Sequence, residues 1–235
     1  MNYFYHPRLD TSVSQFSFPP EESRHIVKVL RKKEGDLLNV TNGKGYVFKA
    51  KITVADPRQC TAQVQDSRKS IPPRSDLHLA VAPTKKLDRF QWFLEKATEI
   101  GVTEVTPILC QRSERKKLAT DRLQRIMQEA MKQSLRTYLP RLNDPVPLDD
   151  FLEREHPGLR FIAHCEKDEK VDLKRRVAAD KDVLILIGPE GDFTRSEIDA
   201  AYERGFLPVS LGESRLRTET AALVACVTVN LINSG

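Results

Sequence analysis

The five aliphatic residues Val183 to Ile187 run unbroken and then stop at Gly188-Pro189-Glu190-Gly191. A short apolar run ended by such a breaker is a buried strand. Its exit carries almost nothing bulky, which suits either a plain strand-to-helix turn or a backbone that has to come close to a ligand. Thr194 and Glu197 then make a capping-box pair; Ile198, Ala201 and Tyr202 form the buried side of the helix they open, and Gly205 is its stop. The loop is therefore pinned between a buried strand and a capped helix. It is neither a phosphate loop nor a dinucleotide fingerprint, because Gly-x-x-x-x-Gly-Lys and Gly-x-Gly-x-x-Gly are both absent.

The same alternation fills residues 76–235. Leu79 to Ala82 predicts a strand, followed by a helix over Asp88 to Ile100 that buries Phe90, Leu94 and Ala97, with Asp88 and Gln91 as a capping box and Gly101 as the stop. Val105 to Leu109, Phe161 to Cys165 and Val209 to Leu211 predict further strands, and Asp121 to Ser134 a helix. Strand–helix alternation means a parallel sheet covered by helices, with ligands beyond the carboxyl ends of the strands.

Residues 1–70 have a different character. Tyr46, Phe48, Ala50, Ile52 and Val54 alternate with Val47, Lys49, Lys51 and Thr53, the period of a half-buried strand. Leu37 to Thr41 precedes it across the hairpin dipeptide Asn42-Gly43, and Cys60 to Gln65 follows. One helix, from Glu21 to a stop at Gly35, carries the apolar stripe Ile26, Val27 and Leu30. A small closed sheet with a cationic edge is the expected shape. Ser67 to Ser75, with two prolines, reads as the linker. Residues 1–70 hold 12 Lys and Arg against 7 Asp and Glu, which is the whole +5 charge of the chain. A basic module beside a neutral one points to a polyanion partner, with a merely solvated basic face as the alternative.

Several classes are excluded. No segment has the roughly 20 apolar residues of a membrane helix, and the N-terminus has no apolar signal core, so the chain is expected to be cytoplasmic. Cys60, Cys110, Cys165 and Cys226 lie far apart without ligand spacing; no metal is expected, and they read as buried or partly buried thiols in a reducing compartment. A nucleotide hydrolase would need a phosphate loop or a carboxylate cluster for metal.

A second strand exit, LGESRLRTETAALVAC from Leu211, again leaves through glycine and presents Arg215, Arg217 and Glu219 before a helix that is apolar nearly all round. Such a helix is expected to be buried on every side, which in a chain this small suggests a subunit interface. GPEGDF followed by LG-x-x-x-LRTETA closely resembles the SPOUT-class methyltransferases that make N3-methyluridine in small-subunit ribosomal RNA, the ribosomal RNA small subunit methyltransferase E family. HIVKVLRKKEGD, the NGKG turn, EKATEIGVTEVTPILCQRSERK and EAMKQSLR extend the likeness over the whole length. The chain departs from the family pattern at Asp192, where the family usually has a second glycine; a side chain there has to point away from any bound cofactor.

The resemblance implies a PUA-like β-barrel that binds RNA (1–70), then a SPOUT α/β domain (76–235) whose last segments pass through a trefoil knot. It also implies S-adenosylmethionine bound in that knot, a homodimer, and a uridine in 16S ribosomal RNA or the small ribosomal subunit as target. The knot rests on the resemblance alone, since chains in general avoid knots. On this reading Gly188, Gly191, Leu211, Gly212, Leu216 and Thr218 hold the cofactor through backbone and apolar walls, and His164 lines the same pocket unless it is structural. Removing the uridine imide proton spreads negative charge onto the flanking carbonyl oxygens, which a fixed cation would stabilise. Arg217 is the candidate, with an ion pair to Glu219 or Glu213 as the alternative. Glu190 could assist proton removal or be a solvent-facing loop carboxylate. Arg8, Arg24, Lys28 and Arg31, continued by Lys85, Lys86, Arg112, Arg115 and Lys116, form the expected phosphate track. A non-catalytic RNA-binding protein and a SPOUT methyltransferase acting on transfer RNA or a 2′-hydroxyl are the competing readings.

Overall fold

The structure, a computed structural model, describes residues 3–233. They fall into two units, Met1–Pro72 with Gln128–Leu139 and Pro73–Met127 with Pro140–Gly235. Among the described residues no helix is long and apolar enough to cross a membrane.

The first unit is a five-stranded sheet of β1 (Phe4–Tyr5), β2 (Gln15–Ser17), β3 (Leu37–Thr41), β4 (Tyr46–Val54) and β5 (Thr61–Lys69) in the order β1-β3-β4-β5-β2. Period-two patterning places Phe48, Ala50 and Ile52 inside and Lys49, Lys51 and Thr53 outside. Phe4, Phe16, Phe18, Leu38 and Val40 complete the core. The side chain of Asn42 accepts the amides of Lys44 and Tyr46 and so shapes the predicted hairpin turn. Ser67 to Lys69, read as linker, are instead the polar end of β5 and pair with Phe48, Val47 and Tyr46.

The helix expected to run from Glu21 towards Gly35 is shorter. It is α1 (Pro20–Arg24) followed by one π-helical turn, His25–Val29. Arg31 adopts φ +53°, which ends the helix before Gly35. The wider turn keeps Ile26 buried but leaves Leu30 exposed, so the three-residue stripe is not one face. Residues 128–139, from the middle of the chain, also belong to this unit. Gly45 donates its amide to Thr137 O at 2.8 Å, and a Cβ on Gly45 would stand 2.3 Å from the Tyr138 ring. Lys132 pairs with Glu22 at 2.6 Å.

The second unit contains β6 (Leu77–Val81), α2 (Leu87–Ile100), β7 (Glu104–Leu109), the start of α3 (Thr120–Gln133), β8 (Arg141–Leu142), β9 (Val146–Pro147), α4 (Leu148–Leu152), β10 (Leu159–Ala163), β11 (Val171–Asp172), α5 (Leu173–Arg176), β12 (Val183–Ile187), α6 (Arg195–Glu203), β13 (Leu207–Ser210) and α7 (Thr218–Asn233). The sheet runs β11-β13-β10-β12-β6-β7-β8, every pair parallel, with β9 beside β7. All five residues of β12 are buried. Leu184 and Leu186 meet Phe151, Ile198 and Phe206 on one side, and α7 covers β6 and β12. Each such side chain contributes about 1.5–3 kcal/mol on full burial.

Two expectations change here, at α2 and at Cys165. Helix α2 starts after Lys86, so Asp88 lies in its first turn and makes no cap; no side chain caps Lys86. Helix α7 buries Ala222, Ala225, Cys226 and Val229, while Val227 and Leu231 are exposed, so one chain covers one of its sides. Cys165 is exposed, unlike Cys60, Cys110 and Cys226.

Near the start of β6, His78 Nε2 lies 2.7 Å from Thr106 Oγ1, which also accepts Asn143 Nδ2 at 2.7 Å. Burial is the main cause that lowers the His78 pKa from 6.5 to about 4, against the raising effect of Glu104. The folded pKa lies below the unfolded one, so this contribution is fully present above about pH 6.5 and is lost as pH falls towards about 4. His6 and His164, also lowered by burial, act in the same sense. Denaturant titrations at a series of pH values are expected to show a fall of roughly 3 kcal/mol across that window from His78. His78→Gln should flatten the slope.

Candidate active site

Parallel pairing brings the carboxyl ends of β13, β10, β12 and β6 to one edge of the sheet, where open parallel sheets bind ligands. Their exit loops are tied to one another and to the helix starts beside them. The buried Thr218 hydroxyl, at the start of α7, donates to Gly188 O at 3.0 Å. Glu190 Oε1 accepts the Lys85 amide at 2.9 Å and so joins the exits of β12 and β6. The Asp192 carboxylate accepts Cys165 N at 2.6 Å and Phe193 N at 2.8 Å, joining the exits of β12 and β10. The predicted capping box of α6 is present, and buried Glu197 also accepts Gln111 N at 2.7 Å.

The glycines divide by what surrounds them. A Cβ on Gly188 would lie 3.0 Å from the Phe193 ring, so its bare face is used by that fully buried phenylalanine. A Cβ on Gly191 would meet the aliphatic part of Arg112 at 3.3 Å. Gly212 adopts φ +123°, and a Cβ there would meet nothing within 4 Å. That exit alone combines a conformation suited to glycine with open space beside the backbone.

His164 follows β10 directly, with a buried side chain and Nε2 2.9 Å from the Tyr202 hydroxyl. Tyr202 donates to Asp168 at 2.8 Å, and Arg195 donates to Asp168 at 2.9 Å. The hydroxyl proton is thus spent on Asp168, so Nε2 carries the imidazole proton and Nδ1 is a bare acceptor. Nδ1 is buried and has no partner among the described residues. Burial, with Lys170 next, lowers the His164 pKa and keeps the ring neutral. Burial and then Asp168 push the Tyr202 phenol up to about 12.

Leu211 and Leu216 are half-buried and flank the exposed Gly212. Arg217 is exposed and forms no ion pair among the described residues; Glu219 is buried and lies 3.7 Å from Arg89 Nε instead. The second Glu219 oxygen is buried without a partner among the described residues. On the first unit Arg8, Arg24, Lys28 and Arg31 are all exposed. On the second, Lys86 is exposed, whereas Arg112 donates to Gly191 O at 2.9 Å and Phe193 O at 3.3 Å. Arg115 donates to Lys85 O at 2.7 Å and Thr84 O at 3.2 Å. Sequence reasoning missed this bracing by two cations, the clamp made by Asp192, and the Tyr202–Asp168–Arg195 chain. All three join residues distant in sequence.

Residues 72–230 match the family model of an RNA methyltransferase domain, and residues 18–65 that of an RNA methyltransferase PUA domain. Ribosomal RNA small subunit methyltransferase E of Rickettsia conorii is 30% identical over 225 residues, spanning 94% of this chain and 91% of that protein. A crystal structure of a probable rRNA-methyltransferase from Porphyromonas gingivalis is 41% identical with TM-score 0.92, covering 100% of this chain and 99% of that one. Ribosomal RNA small subunit methyltransferase E from Neisseria gonorrhoeae, bound to S-adenosyl methionine, is 26% identical with TM-score 0.87, covering 99% and 98%. Sheet, strand exits and matched domains define the RNA methyltransferase class with a PUA domain. Within it, the chain belongs to the ribosomal RNA small subunit methyltransferase E family.

Gly188→Ala is expected to destabilise the protein by roughly 1–3 kcal/mol, because the Phe193 ring has no room to move. Gly191→Ala should cost less, since its nearest contact, Arg112 Cβ, stands at 3.3 Å rather than the 3.0 Å of the Phe193 ring. Urea midpoints of the two variants make the comparison.

Proposed function

We propose that this chain methylates N3 of a uridine in 16S ribosomal RNA, using S-adenosylmethionine held at the exits of β10, β12 and β13. The observation that carries the reading is the Thr218 bond to Gly188 O, which fixes the LRTETA segment, shortly after the open Gly212 in the chain, against the GPEG loop. Its cofactor follows from family membership and from the Neisseria gonorrhoeae relative bound to S-adenosyl methionine.

The residues present fit that cofactor. Gly212 leaves its backbone open to close approach, and Leu211 and Leu216 offer apolar walls. His164 Nδ1 is a buried acceptor in need of a donor, which a nucleoside has. Gly188 and Gly191 contribute amide and carbonyl edges rather than empty space. When bound, S-adenosylmethionine supplies an electrophilic methyl group on a sulfonium.

The protein's own task is the acidity of the uridine imide, which keeps its proton at neutral pH. Loss of that proton puts negative charge on N3 and on the two flanking carbonyl oxygens. Arg217, exposed and free of ion pairs among the described residues, stabilises that charge with its planar fork. Glu190, held through one oxygen by the Lys85 amide, keeps the other to accept the proton. N3 is itself the nucleophile once deprotonated, so no cysteine is needed.

RNA is held by Arg8, Arg24, Lys28 and Arg31 on the first unit and by Lys86 and Arg112 on the second. The basic excess of residues 1–70 and the match to a PUA domain support this. The open apolar side of α7, with Leu231 69% exposed, supports a homodimer through that helix. The trefoil knot of the last segments, the boundaries 1–70 and 76–235, and a cytoplasmic location belong to the same reading.

Arg217→Ala is expected to lower kcat about 100-fold, the usual loss for one charge-stabilising donor, while circular dichroism stays unchanged. Near wild-type methyl transfer from a folded variant would remove Arg217 from this role. RNA affinity should fall steeply as salt rises from about 50 to 200 mM. A filter-binding series that stays flat would count against the phosphate track.

A further inference from the structure

Asp192 stands at φ +62°, a conformation that glycine adopts freely and L-residues adopt at a cost. Its carboxylate offsets that cost with two charge-assisted bonds. One oxygen accepts the amide of the next residue, Phe193, at 2.8 Å, and the other crosses to Cys165 N at 2.6 Å.

The second bond has a special place in the network. The exit of β12 is held several times over, by Thr218 at Gly188, by Lys85 at Glu190 and by Arg112 at Gly191. The exit of β10 is held to helix α6, through His164 with Tyr202 and through Asp168 with Arg195. Beyond the last paired residues, Ala163 and Ile187, Asp192 makes the one hydrogen bond that joins these two exits among the described residues. Without it the two exits keep only an indirect tie, through helix α6, into which the GPEG loop runs.

We infer that Asp192 is a positioning residue for the cofactor: by clamping the Cys165 amide it holds the exits of β10 and β12 in one fixed arrangement before the cofactor arrives. This rests on the strand-exit reading of the site. A loop ordered in advance spares that ordering cost on binding, so the effect falls on affinity for the cofactor and not on the methyl transfer itself.

Three substitutions separate the parts of the argument. Asp192→Gly keeps the backbone unstrained and deletes both acceptors. Asp192→Asn tolerates the left-handed conformation and retains one oxygen for the Cys165 amide. Asp192→Ala loses the acceptors and adds strain. Calorimetry with S-adenosylmethionine on the full-length protein, together with steady-state methyl transfer to ribosomal RNA, reads them. Asp192→Gly is expected to raise the Kd and the KM for cofactor about tenfold, with kcat and the KM for RNA within about twofold of wild type. Asp192→Asn should recover part of that loss, and Asp192→Ala should show it together with a lower Tm.

Wild-type cofactor affinity in folded Asp192→Gly would overturn the proposal. So would a loss confined to kcat or to RNA, or an asparagine variant no better than glycine. Gly212→Ala tests the underlying reading separately, its fold checked by circular dichroism. If that variant binds cofactor normally, the strand-exit site itself is wrong. If it binds poorly while Asp192→Gly is silent, the clamp alone is wrong.

Discussion

Five consecutive residue pairs, Leu159 with Val183 through Ala163 with Ile187, lock β10 to β12 in parallel register, and five more lock β12 to β6. Register in a sheet is ordinarily enforced by a polar face that must stay outside. Strand β12 has no polar face, since Val183 to Ile187 are all buried. What fixes the register here lies at the end of the strand. A slip by one residue would move Gly188 O away from the Thr218 hydroxyl, and Glu190 away from the Lys85 amide. The loops that build the candidate site also select the pairing of the strands that lead to it.

The same economy explains the glycines. A glycine at a strand exit leaves space, and either a ligand or the protein can fill it. At Gly188 the protein fills it with Phe193, which closes the core beneath the loop. At Gly212 nothing does. Two exits that look alike as sequence therefore serve different ends, one as a packed floor and the other as an open edge. Only the packing of Phe193, a residue five positions further along, tells them apart.

Local patterns in the sequence carried much of this fold. The period-two strand Tyr46–Val54, the capping box at Thr194 and Glu197, and the unbroken run of β12 are each set by neighbours within a few residues. Less legible was anything decided by contacts across the chain. Ile26, Val27 and Leu30 have helical spacing, yet the π-helical turn buries Ile26 and leaves Leu30 exposed. Residues 128–139 look like the end of a helix and a loop, and nothing local shows that Tyr138 needs Gly45 opposite it. The apolar composition of α7 predicts burial on every side, of which one chain supplies one. Of the site, the glycine exits and the LRTETA segment were legible, because backbone conformation and helix starts leave marks on nearby residues. The partners of Asp192 and Glu219 were not, because the Cys165 amide and Arg89 lie far away in sequence.

Arg112 shows how charge and architecture become entangled at such a site. Its guanidinium donates to two carbonyl oxygens, Gly191 O and Phe193 O, which are neutral. A neutral acceptor fixes the side chain without cancelling its charge, unlike the carboxylate that Glu114 offers Lys85 at 2.8 Å. Arg112 therefore braces the GPEG loop while its positive charge stays uncancelled by a carboxylate. Arg115, fastened to Thr84 O and Lys85 O, is built the same way. Truncating either residue removes a loop brace and a cation together, so weaker RNA binding in such a variant would not by itself identify a phosphate contact. Lys86, which braces nothing with its side chain among the described residues, separates the two effects: its charge can be removed while every exit loop keeps its ties.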